Sequence, residues 1–168
     1  MKLPTVVKSV LPAAFVGVLA LSLTPISASA STSITTTFAV TATVQSTCII
    51  AATPLTFGTY TGAVSNSTST VTVTCTNTTP YTVGLNPGSA SGATVTTRQM
   101  TGPGSALLNY ALFSDSLRSV NWGNTTGSWV SGTGSGAAQA LTVYGQVAAG
   151  QYVAPGAYTD TITATVTY

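Results

Sequence analysis

Apolar and polar residues alternate with a period of two along most of the chain. That spacing sets one face of a β-strand against a core and the other in water. Phe38, Val40, Ala42 and Val44 share one parity, with Thr37, Thr41, Thr43 and Gln45 on the other. Val71, Val73 and Cys75 alternate with threonines, and Tyr81, Val83 and Leu85 repeat the pattern. Further runs follow at Leu108, Tyr110 and Leu112, and at Leu141, Val143 and Val147. The clearest lies at the end, where Tyr158, Ile162, Ala164, Val166 and Tyr168 occupy even positions and threonines all the odd ones from 159 to 167.

Turn-forming residues separate these runs: Asn86, Pro87 and Gly88; Gly102, Pro103 and Gly104; Gly123 and Asn124; Pro155 and Gly156. No stretch carries a persuasive helical period. About seven short strands punctuated in this way predict an all-β fold, an antiparallel β-sandwich.

Composition narrows the chemistry. Only six residues are charged (Lys2, Lys8, Arg98, Arg118, Asp115 and Asp160), there is no Glu or His, and Ser with Thr makes nearly a third of the chain. General acid–base catalysis has almost nothing to draw on, and a metal site lacks His, Glu or clustered Cys. Nucleic-acid binding lacks a basic footprint. The expectation is no enzyme, no cofactor, no metal and no nucleic acid. Asp160 falls on the apolar parity of its strand, where pairing with Arg98 or Arg118, or capping a turn, is a better reading than catalysis. Trp122 and Trp129 fit core packing or simple exposure better than a carbohydrate platform.

Residues 1–30 read as a removable secretory signal: Lys2 and Lys8, an apolar run over residues 11–23, and the small residues Ala28, Ser29 and Ala30. The run of about thirteen residues is short of the roughly 20 that span a bilayer. Cleavage leaves about 138 residues, the size of one domain. Export also places Cys48 and Cys75 in an oxidising compartment, where a disulfide is the simplest outcome and a free reactive thiol the alternative.

Long alternating strands at both ends of the mature chain have almost no charge to guard an open edge. Either they cover each other, or an edge is meant for another chain.

Several segments resemble the spore coat protein U family, whose members include pilins of the archaic chaperone–usher pathway. They are residues 108–115 (LNYALFSD), 120–123 (VNWG), 143–147 (VYGQV) and 155–168 (PGAYTDTITATVTY), with 80–83 (PYTV) and 98–100 (RQM) in support. The resemblance implies an incomplete immunoglobulin-like antiparallel β-sandwich, lacking one strand and completed by donor-strand exchange. Residues 31–45 would be the donor extension, presenting Ile34, Phe38, Val40, Ala42 and Val44, and residues 46–168 the pilin domain. The implied partners are neighbouring copies of the chain, a periplasmic chaperone, an outer-membrane usher and a tip adhesin. The implied setting is a surface pilus supporting adhesion and biofilm formation. A chain of this length has no room for a receptor-binding domain beside the pilin domain, which points to a shaft subunit. The residues alone leave a second reading open, a secreted monomeric coat or carbohydrate-binding module in which residues 34–44 are an ordinary first strand.

Overall fold

The alternating runs pair into eight strands in a computed structural model that describes residues 29–168. The secretory signal expected over residues 1–30 lies outside the described residues except for Ser29 and Ala30. The strands are β1 (Cys48–Ala52), β2 (Ser65–Cys75), β3 (Pro80–Leu85), β4 (Arg98–Thr101), β5 (Leu107–Phe113), β6 (Val130–Thr133), β7 (Gln139–Val147) and β8 (Ala164–Thr167). They form two sheets, ordered β1-β2-β7-β5-β4 and β6-β3-β8, in which every ladder is antiparallel. The described residues contain no α-helix, only one short 3-10 turn at Pro103–Ser105. The all-β sandwich expected from the alternation is the fold observed.

Each sheet contributes its apolar parity to one core. Val71, Val73 and Cys75 of β2, Tyr81, Val83 and Leu85 of β3, Leu108, Tyr110 and Leu112 of β5, and Val143 and Val147 of β7 are all buried. Their threonine neighbours take the hydrated faces, where β-branched side chains suit a pleated surface. Trp122 lies in this core and donates from Nε1 to the Val83 carbonyl at 2.8 Å, so it is no surface platform. Trp129 is only partly exposed.

Cys48 and Cys75 are cross-strand partners at the start of β1 and the end of β2, and they form the expected disulfide, with Cα atoms 4.1 Å apart. The bond closes a loop between residues 27 apart, which chain entropy values at about 3.5 kcal/mol. Cys48→Ser is therefore expected to lower stability by about 2–5 kcal/mol. The yield of exported protein and its urea midpoint measure this, and an unchanged midpoint would contradict it.

Two runs do not end as strands of this sandwich. Residues up to Thr41 belong to one compact unit and Ala42–Tyr168 to another. Residues 29–47 form no strand and are exposed throughout, so the alternation at 38–44 has no ladder among the described residues. The terminal run is shortened: β8 covers only Ala164–Thr167, although residues 158–163 keep the alternating burial of a strand. Tyr168 lies beyond β8 and is exposed.

Candidate functional site

β8 starts at Ala164, opposite Leu85 where its partner β3 ends, and among the described residues no strand pairs with its other edge. β1 ends one sheet and β8 ends the other. Between the segments continuing from them, residues 52–62 and 151–164, lies an open groove of about 1090 Å³. Its floor is the core itself, including Val71 from β2, Leu85 from β3, Leu108 and Leu112 from β5, and Val143 and Val147 from β7. One wall presents Leu55, Phe57 and Tyr60, the other Tyr158, Ile162 and Ala164. The groove thus runs over a buried apolar floor between two extended segments.

Both walls stand without a sheet partner on the groove side. Residues 53–57 are held on their other flank by serines of β2. Ser65 donates to the Phe57 carbonyl at 3.1 Å, Ser67 to that of Thr56 at 2.7 Å, and Ser69 to that of Thr53. These serines share the parity of Val71 and Val73, so β2 changes along its length from core residues to polar straps. Gly145 of β7 permits the close approach: a Cβ there would stand 2.8 Å from Leu55 and 2.9 Å from Phe57. On the opposite wall, Thr159 exchanges both main-chain bonds with Thr101, and the Thr163 carbonyl accepts from Asn86 N–H. Neighbouring residues of an extended chain point their peptide groups to opposite edges. Asp160 and Ile162 therefore turn theirs toward the groove, and neither has a main-chain partner among the described residues. An extended apolar segment laid here would meet both unpaired backbone groups and an apolar floor, the two halves of β-augmentation.

Asp160 is the one charged group in the groove wall. Its Oδ1 accepts from Ser89 N–H, Ser89 Oγ and Thr161 N–H, each at 2.7 Å, and its Oδ2 accepts from the Tyr110 hydroxyl at 2.6 Å. It caps a turn, as one of the two expected readings had it, and none of these bonds comes from an arginine. Burial pushes its carboxyl up, but the bonds from Tyr110, Ser89 and Thr161 outweigh this and hold it below the usual carboxylate range. Burial, reinforced by the bond to Asp160, pushes the Tyr110 phenol well above its ordinary value. The carboxylate is thus held by four structural donors, one of them the Tyr110 hydroxyl. Asp115 caps another turn, receiving Val120 N–H at 2.7 Å and Ser119 N–H at 2.9 Å, which together lower its pKa.

Arg98 escaped sequence reasoning as a core residue. Its guanidinium is wholly buried, donating to the carbonyls of Asn86, Val95, Leu85 and Trp122 at 2.7–2.9 Å. No signal in the sequence separates it from Arg118, which lies over the Tyr144 ring on the outside, 5.9 Å from its centroid.

Of the expected donor residues, Ile34, Phe38 and Val40 fall in the first unit and Ala42 and Val44 at the start of the second. Ile34, Phe38, Val40 and Val44 are 83–94% exposed, and Ala42 is exposed with them. Four large apolar side chains in full contact with water, at strand spacing, are unusual for a protein surface. The residues expected on the terminal strand do converge on one place: Tyr158, Ile162 and Ala164 line the groove, and Val166 packs against the core from β8. Tyr168 does not join them.

Known proteins match this architecture. The sequence fits the Spore Coat Protein U domain family over residues 34–165. It is 39% identical over 127 residues to Protein U of Myxococcus xanthus, covering 68% of this chain and 71% of that protein. The fold matches a chain of the CsuC–CsuE chaperone–tip adhesion subunit pre-assembly complex from the archaic chaperone–usher Csu pili of Acinetobacter baumannii. That match has a TM-score of 0.58 and 25% identity, and it covers 75% of this chain. The present chain spans about two fifths (41%) of that one. With the family fit extending over nearly all of the described residues, the chain belongs to the Spore Coat Protein U domain family.

Proposed function

We propose that this protein is a structural subunit of an archaic chaperone–usher pilus, polymerising by donor-strand complementation. The observation that carries this reading is the pairing, in one chain, of an open groove with an apolar floor and an exposed segment of strand-like alternation. A subunit that holds both a donor and an acceptor can repeat indefinitely, since a head-to-tail contact that does not close builds a fibre. That property suits a shaft subunit. In the secretion route implied by such assembly, a periplasmic chaperone covers the groove first and an outer-membrane usher exchanges it for the next subunit's residues 31–45. The polymer then supports adhesion and biofilm formation at the cell surface, with a tip adhesin at its end. The subunit's role is mechanical, without catalysis, as its two structurally engaged carboxylates suggest.

Deletion of residues 31–44 tests the reading. The variant should be exported and chaperone-bound but give no SDS-resistant ladder on unboiled gels and no fibres by electron microscopy. A synthetic peptide of residues 31–45 should bind it and raise its melting temperature. Wild-type assembly by the deleted variant, or a wild-type protein that purifies as a stable monomer, would favour a self-complete secreted module instead.

A further inference from the structure

Resting on the donor-strand reading, we propose a specific register. The neighbour's segment runs antiparallel to residues 158–168 and seats Ala42 against Asp160, Val40 against Ile162 and Phe38 against Ala164. Direction comes first. Every ladder among the described residues is antiparallel, and antiparallel pairing is the more stable per residue.

Length and parity then leave few choices. The incoming strand cannot extend its ladder far before residue 157, because Pro155 has no N–H and residues 155–156 turn. The apolar donor positions are even-numbered, and so are the groove-facing positions of the wall. A shift by one residue would turn the whole apolar set outward. The even donor positions therefore meet the groove-facing wall positions 158, 160, 162 and 164, and only shifts by two compete.

Asp160 decides among them. At its even, groove-facing positions from 158 to 164 the wall is apolar except at this carboxylate, which Tyr110 and Ser89 fix in place. A large apolar side chain pressed over it would strip its remaining water without offering a bond. The three nearest registers put Val40, Ala42 or Val44 there. Only Ala42 leaves room. Bulk agrees independently: in the same register Phe38, the largest donor residue, lies beside Ala164, the smallest of the even-numbered wall residues from 158 to 168. The neighbouring registers set Phe38 beside Ile162 or Val166.

Outward-facing cysteines read the register without disturbing the core. In the proposed pairing Thr41 stands opposite Thr161 as a non-hydrogen-bonded pair, with Cα atoms about 4.5 Å apart, inside the range a disulfide bridges. Thr161→Cys would be combined with Ala39→Cys, Thr41→Cys or Thr43→Cys, and assembled fibres oxidised, boiled and run without reductant. The Thr41→Cys combination should give a covalent ladder at least about tenfold stronger than either other. A stronger ladder from Ala39→Cys or Thr43→Cys, or fibres that cross-link in none of the three, overturns the register but leaves donor-strand assembly standing. Wild-type protein that forms no fibres overturns the underlying reading instead. If the cysteine variants are not exported, Ala42→Leu and Ala42→Ser give a second measure. Unboiled laddering should fall at least about tenfold for Ala42→Leu and stay near wild type for Ala42→Ser, and equal assembly by Ala42→Leu overturns the register.

Discussion

Val40→Asp is expected to abolish fibre formation, while Thr41→Asp, one residue along, should polymerise nearly normally. Both add one negative charge to the same exposed segment, so charge alone does not distinguish them. Parity does. Val40 shares its face with Phe38, Ala42 and Val44, and that face has to enter the groove as a set. Burying Ile34, Phe38, Val40 and Val44 is worth about 1.5–3 kcal/mol each, about 6–12 kcal/mol together as an upper bound. Main-chain bonds to the free edge at Asp160 and Ile162 add to this, and association opposes it by about 4–15 kcal/mol. The margin is narrow enough for one position to decide. Val40→Asp either buries an unpaired carboxylate or leaves its place in the groove unfilled, and Asp160 on the facing wall supplies repulsion rather than a partner. Thr41→Asp keeps its charge in water. Laddering on unboiled gels and electron microscopy separate the outcomes. Normal fibres from Val40→Asp, or equal failure of both variants, would refute a one-faced insertion.

The same parity made much of the fold legible. Val71, Val73, Tyr81, Val83, Leu108, Leu112 and Val143 announce buried faces by spacing alone, and all are buried. The cysteine pairing followed from export and the count of two. The first strand was harder to see, because Cys48–Ala52 (CIIAA) offers no clean alternation. It is placed by its disulfide and its ladder to β2, which are tertiary facts. The groove was legible only in part. The alternation at residues 158–163 is plain, but sequence spacing records which face is apolar, not whether a neighbour exists to complete a ladder. Leu55 and Phe57 gave too short a run to notice beside Pro54. The serine straps of Ser65, Ser67 and Ser69 read as polar surface, because their role depends on a backbone segment that folds back over β2. A lone Arg among so few charges carries no sign of where its guanidinium will end.

Arg98→Leu is therefore the substitution whose effect the sequence least prepares for, and it should destabilise the sandwich by about 3–5 kcal/mol. The guanidinium is fully buried with no carboxylate among its hydrogen-bond partners; the charge is met by four carbonyl oxygens. Those carbonyls come from the end of β3, the turn after it, the approach to β4, and Trp122, so one side chain ties together chain segments far apart in sequence. Burial pulls the pKa of Arg98 down, with Tyr110 and Asp160 opposing, yet an arginine starts so high that it stays charged. Leucine relieves the desolvation of that charge, which limits the loss. It leaves four acceptors without this donor, of which the two buried ones, Leu85 and Trp122, cost about 1–3 kcal/mol each. Arg98→Lys keeps the charge but not the planar fork that reaches several carbonyls at once, so it should recover only part of the stability. Against the 5–15 kcal/mol typical of a whole domain, the leucine variant stands close to the limit of folding. Urea denaturation of the purified variants provides the measurement. The midpoints should order as wild type, then Arg98→Lys, then Arg98→Leu. An Arg98→Leu midpoint equal to wild type would mean that the carbonyls find other donors and that the buried guanidinium is dispensable to the core.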